Sequence, residues 1–267
     1  LPWGDLESVA PLPAMTVETA RRGALSFPGG TGLGWDKFHP RCILRFPDCA
    51  ILALIRIFIL VEMIGHWPDT IGLVVVSLIP KTDGGRRPIG LPPSLIRLWM
   101  RIRLDVARDW QLENERSYFY AGPMKGANVA AWKQAARAEL ASYTSDDEYL
   151  CMLLDLVKAF DRVPHIWLVR NALLYNFPLL ILRVSIASYV LGRVICVDGI
   201  VSSIIVATRS ITAGSVLATI EMRLLLIKCV DETVYRFPEV SVTLYVDDTS
   251  VESAGPARKV LCEVTQA

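Results

Sequence analysis

Two acidic positions in the sequence stand where metal-assisted chemistry could occur. Asp155 follows the apolar run Cys151-Met152-Leu153-Leu154, and the pair Asp247-Asp248 follows Thr243-Leu244-Tyr245-Val246. Each run reads as a β-strand, so each acid lies at a strand end, where the sheet holds the backbone and leaves the carboxylate free to face a ligand. If the two strands are neighbours, Asp155 and Asp247 can bridge two divalent ions about 4 Å apart. One ion would activate an attacking hydroxyl and the other would steady a leaving phosphate. Hard oxygen donors select Mg²⁺, and neither Cys nor His near these positions suggests zinc. An Asp-Asp pair in a tight turn is also ordinary hairpin chemistry, so the surrounding residues must discriminate.

Those residues form longer patterns. Leu154-Asp155-Leu156-Val157-Lys158-Ala159-Phe160-Asp161-Arg162-Val163-Pro164-His165 closely resembles the first palm motif of reverse transcriptases from non-LTR (LINE-type) retrotransposons. Tyr245-Val246-Asp247-Asp248 matches their Y-x-D-D box, and Ile79-Pro80-Lys81-Thr82-Asp83-Gly84-Gly85-Arg86-Arg87-Pro88-Ile89-Gly90-Leu91 looks like their fingers segment. Four residues alone are a weak signal; the twelve-residue palm segment is specific, and the order and spacing of all three suit the family. The likeness runs from about Ile51 to Ser253.

The resemblance implies a right-hand polymerase and assigns roles residue by residue. Asp155, Asp247 and Asp248 become the catalytic, Mg²⁺-binding acids, with two ions bound. Phe160 matches the bulky gate that collides with a ribose 2′-hydroxyl, which implies deoxynucleotide use. Lys81 and Arg87 match basic fingers positions that clamp the incoming triphosphate, where a guanidinium fork pairs with phosphate oxygens. Gly214 matches the glycine of the third palm element, which permits close approach of the nucleotide. The implied partners are an RNA template, a DNA primer and a dNTP. Asp161 and His165 read as structural, His165 opening a helix behind Pro164.

Two departures matter. The third palm element usually carries Gln-Gly, and here Ser210-Ile211-Thr212-Ala213-Gly214-Ser215 puts Ala213 where the amide is expected, which removes its hydrogen bonds. The short segment after Asp248 shows neither the family's later lysine-bearing palm segment nor its primer grip or thumb, so a truncated palm with the thumb missing is expected. The leading reading is an RNA-directed DNA polymerase core. The alternative is a catalytically decayed retroelement relic that at most binds nucleic acid. An RNA-templated RNA polymerase shares the acid geometry, but Phe160 opposes it.

The elements that must position these residues are legible in outline. Asp48 can cap a helix to about Ile64, stopped by Gly65 and Pro68. Leu73 to Ile79 reads as a strand, Asp83-Gly84-Gly85 as its turn, and Arg86 to Ile89 as a short strand that should sit at an edge or end because Pro88 has no donor. Helical spacing covers Ser94 to Gln111, Asn128 to Ser142 and Pro164 to Tyr175. Val194 to Ala207 reads as strand, turn at Asp198-Gly199, strand, and a helical stretch follows Ala213-Gly214. Val240 to Tyr245 and Ser250 to Glu252 form the last hairpin, and Ala257 to Val264 looks helical. Mixed helices and antiparallel hairpins point to an α+β fold, with an antiparallel palm sheet packed on helices. The partition read from this order is an irregular, Pro/Gly-rich arm at 1–47, a fingers-like region at 48–145 and a palm-like region at 146–267.

Bulk properties restrict the reading further. Lys+Arg total 28 against Asp+Glu 27, a net charge of +1, so any nucleic-acid surface must be local. Between Ile79 and Trp110, Lys81, Arg86, Arg87, Arg97, Arg101, Arg103 and Arg108 outnumber Asp83, Asp105 and Asp109, a cluster suited to phosphates. Mean hydropathy is high at +0.39, yet Ala50 to Ile64 and Leu179 to Val197 are interrupted by charges, and buried helices fit them better than lipid. No membrane partner is expected, and nothing indicates an oligomeric state. The six cysteines lack close pairing and the chain shows no leader, so reduced thiols and an intracellular location, nuclear or cytoplasmic, are expected.

Overall fold

The structure, a computed structural model, describes residues 1–82, 84–122, 125–144, 147–197 and 199–267; the expected turn residues Asp83 and Asp198 lie outside the described residues. In chain order the elements are α1 (Val17–Leu25), α2 (Asp48–Ile64), β1 (Leu73–Pro80), β2 (Arg86–Leu91), α3 (Ser94–Glu113), α4 (Ala127–Ser142), β3 (Glu148–Leu154), α5 (His165–Leu174), α6 (Leu179–Tyr189), β4 (Gly192–Val197), β5 (Ile200–Val201), α7 (Ala218–Arg236), β6 (Ser241–Tyr245), β7 (Asp248–Gly255) and α8 (Ala257–Gln266).

α1 breaks up the stretch expected to be irregular. The Thr16 hydroxyl accepts from the Thr19 amide at 3.1 Å while the Thr19 hydroxyl accepts from the Thr16 amide at 2.9 Å. This reciprocal cap satisfies two donors that a helix N-terminus leaves open. Threonine, rather than Glu or Gln, at its third position hides the signal. α2 begins directly after Pro47, so Asp48 is a first-turn residue and not a side-chain cap; its carboxylate takes Arg21 Nη2 at 2.7 Å. Gly65, at φ 75°, ends the helix in the left-handed conformation that glycine tolerates.

Two compact units interleave along the chain: Leu1–Glu113 with Phe160–Glu221, and Asn114–Ala159 with Met222–Ala267. The first contains a four-stranded sheet in the order β2-β1-β4-β5. β1 pairs antiparallel with β2 and parallel with β4, from Leu73 beside Gly192 to Ser77 beside Cys196. Pro88 sits on β2, an edge strand, as its missing donor requires. The helical core of this unit is aromatic: Trp67 packs edge-on against Trp99 at 5.7 Å and Phe58 at 6.4 Å, and its Nε1 donates to the Val184 carbonyl at 3.1 Å.

Two of the four α3 arginines in the expected phosphate-facing cluster, Arg97 and Arg103, are buried. Arg103 is buried and forks onto buried Glu62, Nε to Oε1 at 2.6 Å and Nη2 to Oε2 at 2.7 Å, with Trp99 Nε1 adding a bond at 2.8 Å. Arg97 is buried too, donating to the Gly32 carbonyl at 2.7 Å. Arg101 is half-buried with its guanidinium over the Phe27 ring at 5.3 Å, and Arg108 faces Asp105 at 3.7 Å. Of these, Arg103 has its counter-charge inside the fold, in Glu62. The exposed cations near β2 are Lys81, Arg86 and Arg87.

The second unit holds an antiparallel sheet in the order β3-β7-β6, with α4 and α8 packed on it. A segment around Phe119 runs beside β6, the Tyr120 amide donating to the Leu244 carbonyl at 2.9 Å and the Leu244 amide to the Tyr118 carbonyl at 2.8 Å. Buried Glu252 on β7 accepts from Arg137 at 2.9 Å, Tyr149 at 3.0 Å and Ser250 at 2.9 Å, a satisfied polar centre inside the sheet layer. The chain is therefore α+β, with an antiparallel sheet packed on helices. Among the described residues no helix is long and apolar enough to cross a membrane.

Candidate active site

The second unit brings the three acids to one end of its sheet. β3 is paired with β7 as far as Leu154 beside Thr249. Asp155 leaves the strand one residue later, at the level of Asp248, which pairs across the hairpin with Tyr245. Val246 and Asp247 form the two-residue loop between them. Asp155 and Asp248 are exposed and Asp247 is half-buried. The strands that lead into Asp155 and Asp247, β3 and β6, are not the neighbours supposed from the sequence: β7 lies between them and is hydrogen-bonded to both, so it is Asp248, at the start of β7, that comes level with Asp155.

The loop carries strain. Val246 has φ 62°, at the position that two-residue hairpin loops usually give to Gly or Asn. A β-branched residue there is an outlier that costs about 1–2 kcal/mol. Of the five described non-glycine residues with positive φ, three fall in the motif segments: Lys158 (54°), Ser210 (129°) and Val246 (62°). Such clustering is what functional segments show when the surrounding fold holds them in shape. Among the described residues no three His, Cys, Asp or Glu side chains converge on a point where a metal ion could sit.

The remaining candidates, Lys81, Arg87, Phe160 and Gly214, lie in the first unit. Lys81 follows β1, its amide donating to the Gly85 carbonyl at 2.8 Å, and Arg87 sits on β2 opposite Ile79; both are exposed, with no ion-pair partner among the described residues. Phe160 opens a short 3₁₀ turn, Phe160–Arg162, and is half-buried; its carbonyl accepts from the Ile211 amide at 2.8 Å. The Val163 carbonyl takes the Ser210 amide at 2.9 Å. Together these bonds fasten the end of the first motif to the start of the third.

Gly214 is exposed at φ 112°, and a Cβ on it would run into the Gly90 carbonyl oxygen. The preceding Ala213 carbonyl accepts from the Gly90 amide at 2.7 Å. Glycine at 214 is therefore required by packing against β2 as well as by its φ.

Around this segment, Arg193 and Glu221 carry no sequence signature, whereas His165 belongs to the first motif. Arg193 Nη2 donates to Ser210 Oγ at 2.7 Å, and His165 Nε2–H donates to the Ser210 carbonyl at 2.7 Å. Burial holds the His165 imidazole below its ordinary range; the carbonyl bond opposes this and the Arg193 charge adds to it. Glu221, fully buried, accepts from Ser185 Oγ and the Tyr189 hydroxyl at 2.5 Å each. Burial pushes its carboxyl up to about 7. The one available signal was an acid inside the apolar run Ala218-Thr219-Ile220-Glu221-Met222.

The fold is similar to that of apo telomerase from Candida tropicalis truncated from its C-terminal domain, with a TM-score of 0.55 at 16% identity, covering 74% of this chain and 46% of that one. The chain spans about half the length of that protein, and at this identity the likeness is one of fold. No curated protein matches the sequence. Residues 79–266 match the family described as reverse transcriptase (RNA-dependent DNA polymerase), and the chain belongs to that family.

Proposed function

We propose that this chain is an RNA-directed DNA polymerase core of the non-LTR retrotransposon type, adding deoxynucleotides to a primer 3′ end by two-metal phosphoryl transfer. The observation that carries the reading is the strand register that puts Asp155 beside Asp248 at the mouth of the strained Val246-Asp247 loop. The donor set is carboxylate oxygen only, which suits Mg²⁺. That ion is commonly held by one or two carboxylates, with water and substrate phosphates completing its shell, so it does not require three converging side chains. Bound there, Mg²⁺ would ease loss of the primer hydroxyl proton and offset charge on the departing pyrophosphate.

The chain's own residues do the rest. Asp155, Asp247 and Asp248 would hold the ions. Exposed Lys81 and Arg87 grip the triphosphate, Phe160 turns away a ribose 2′-hydroxyl, and the Gly214 segment lies against the nucleotide. In this reading residues 48–145 act as fingers, residues 146–267 as palm, and the partners are an RNA template, a DNA primer and a dNTP.

The test is primer extension on poly(rA)·oligo(dT) with Mg²⁺ and dTTP, comparing folded wild type with Asp247→Asn. Loss of at least about 100-fold in rate is expected, because the substitution removes a carboxylate that would hold Mg²⁺. Equal extension by the two forms would remove Asp247 from the site. A second reading, a decayed relic that retains only nucleic-acid binding, is favoured by Ala213; a folded wild type that binds template-primer but never extends it would establish that reading instead.

A further inference from the structure

Glu221 starts a hydrogen-bonded chain that ends on the Gly214 segment. The Tyr189 hydroxyl that meets Glu221 Oε2 also lies 2.8 Å from Ser215 Oγ. Ser215 Oγ in turn accepts the Leu217 amide at 3.2 Å and faces Met100 Sδ at 3.5 Å. Glu221 and Tyr189 have no exposed surface. A buried carboxyl with no ion-pair partner among the described residues is a cost that an apolar residue would avoid, so packing alone does not account for it.

The two sides of the segment are held differently. On its N-terminal side Ser210, Ile211 and Ala213 are tied by backbone bonds to Val163, Phe160 and Gly90, with Arg193 Nη2 adding side-chain bonds to Ser210 Oγ at 2.7 Å and Thr212 Oγ1 at 3.2 Å. On its C-terminal side the side-chain tie is Ser215 through Tyr189 to Glu221. We propose that Glu221 is a positioning residue for the nucleotide-facing Gly214 segment, acting through Tyr189 and Ser215. This rests on the reading that Gly214 lies against the nucleotide.

Each hydroxyl has one proton to give, so the chain can run in two directions. With Glu221 ionised, Ser185 and Tyr189 donate to it, and the Tyr189 oxygen accepts from Ser215. With Glu221 protonated, its own O–H donates to Tyr189, the Tyr189 proton turns to Ser215, and Ser215 turns to the weak acceptor Met100. The raised Glu221 carboxyl populates both directions near neutral pH. The charged and titratable groups around the chain are His165 of α5, its ring 6.3 Å from that of Tyr189, and Arg193 of β4, whose Nη2 donates to the Tyr189 carbonyl at 2.8 Å. Asp161 acts on Arg193, and α3 contributes uncharged Met100.

The test has two arms on the full chain. Hydrogen exchange of residues 211–217 is compared at pH 6 and 8, corrected for intrinsic rates. Tyr189→Phe and Ser215→Ala each cut the tie and are expected to lose about tenfold protection there, the equivalent of one buried hydrogen bond, while α3 and α6 peptides keep theirs. Glu221→Gln retains both bonds but cannot ionise, so protection stays while its pH dependence disappears. In primer extension the two tie-cutting variants are expected to raise the dNTP KM about fivefold with kcat within twofold. Wild-type protection in Tyr189→Phe and Ser215→Ala, or unchanged pH dependence in Glu221→Gln, would overturn the proposal. The expected exchange result with no extension by wild type would uphold the tie and count against the polymerase reading alone.

Discussion

Val246 separates two acids' worth of chemistry from an ordinary hairpin. Its φ of 62° places a β-branched side chain in the left-handed region, and the loop it forms fixes where Asp247 leaves β6 relative to Asp248 and Asp155. Replacing Val246 by Gly relieves about 1–2 kcal/mol of strain against roughly 0.5–1 kcal/mol of added unfolded-state freedom. The expected outcome is a chain more stable by about 0.5–1 kcal/mol in urea unfolding, with slower primer extension because the loop is no longer held in one shape. A stability loss would show that the valine side chain packs well enough to outweigh its backbone cost.

At the scale of elements, β2 and the Ser210–Ser215 segment are mutually dependent. Gly90 gives its amide to Ala213 and its carbonyl fills the space beside Gly214. Gly214→Ala adds a Cβ both at an unfavourable φ and against backbone that cannot swing aside, so a loss of about 2–4 kcal/mol is expected by urea unfolding. α2 and α3 depend on each other in the same way through Glu62 and Arg103. Glu62→Gln leaves the Arg103 guanidinium buried without its counter-charge, and about 3 kcal/mol of destabilisation should appear in the same measurement. An effect below about 1 kcal/mol would mean that the bond from Arg103 to the Pro13 carbonyl, 2.6 Å long, suffices.

For the whole molecule, buried ionisable groups make stability depend on pH in two opposed ways. Glu221 ionises near 4.5 when unfolded and near 7 when folded. Its proton-linked stabilisation is fully present below pH 4.5 and is lost as pH rises to 7, about 3 kcal/mol in all. His165 has the opposite sign: its folded value is depressed from 6.5, so stability falls as pH drops below 6.5. The urea midpoint of wild type should therefore decline between pH 5 and 7, and Glu221→Gln should remove most of that decline while leaving the acid-side loss. A decline of equal size in both forms would assign it to another group.

Local sequence by itself determined the strands around the acids, a non-central place for β2 through Pro88, the helices of α3 and α4, and the likeness to reverse transcriptases that the family match bears out. These follow from period, turn chemistry and motif spacing, which are properties of neighbours in the chain. It did not reveal α1, whose cap uses two threonines, or the fate of the α3 arginines: a guanidinium reads the same in sequence whether it meets a phosphate or a buried Glu62. It also could not supply the parallel pairing of β1 with β4, the interleaving of the two units, or the Glu221–Tyr189–Ser215 chain. Those are long-range contacts, fixed by which surfaces meet when the chain closes on itself, and only the tertiary structure decided them.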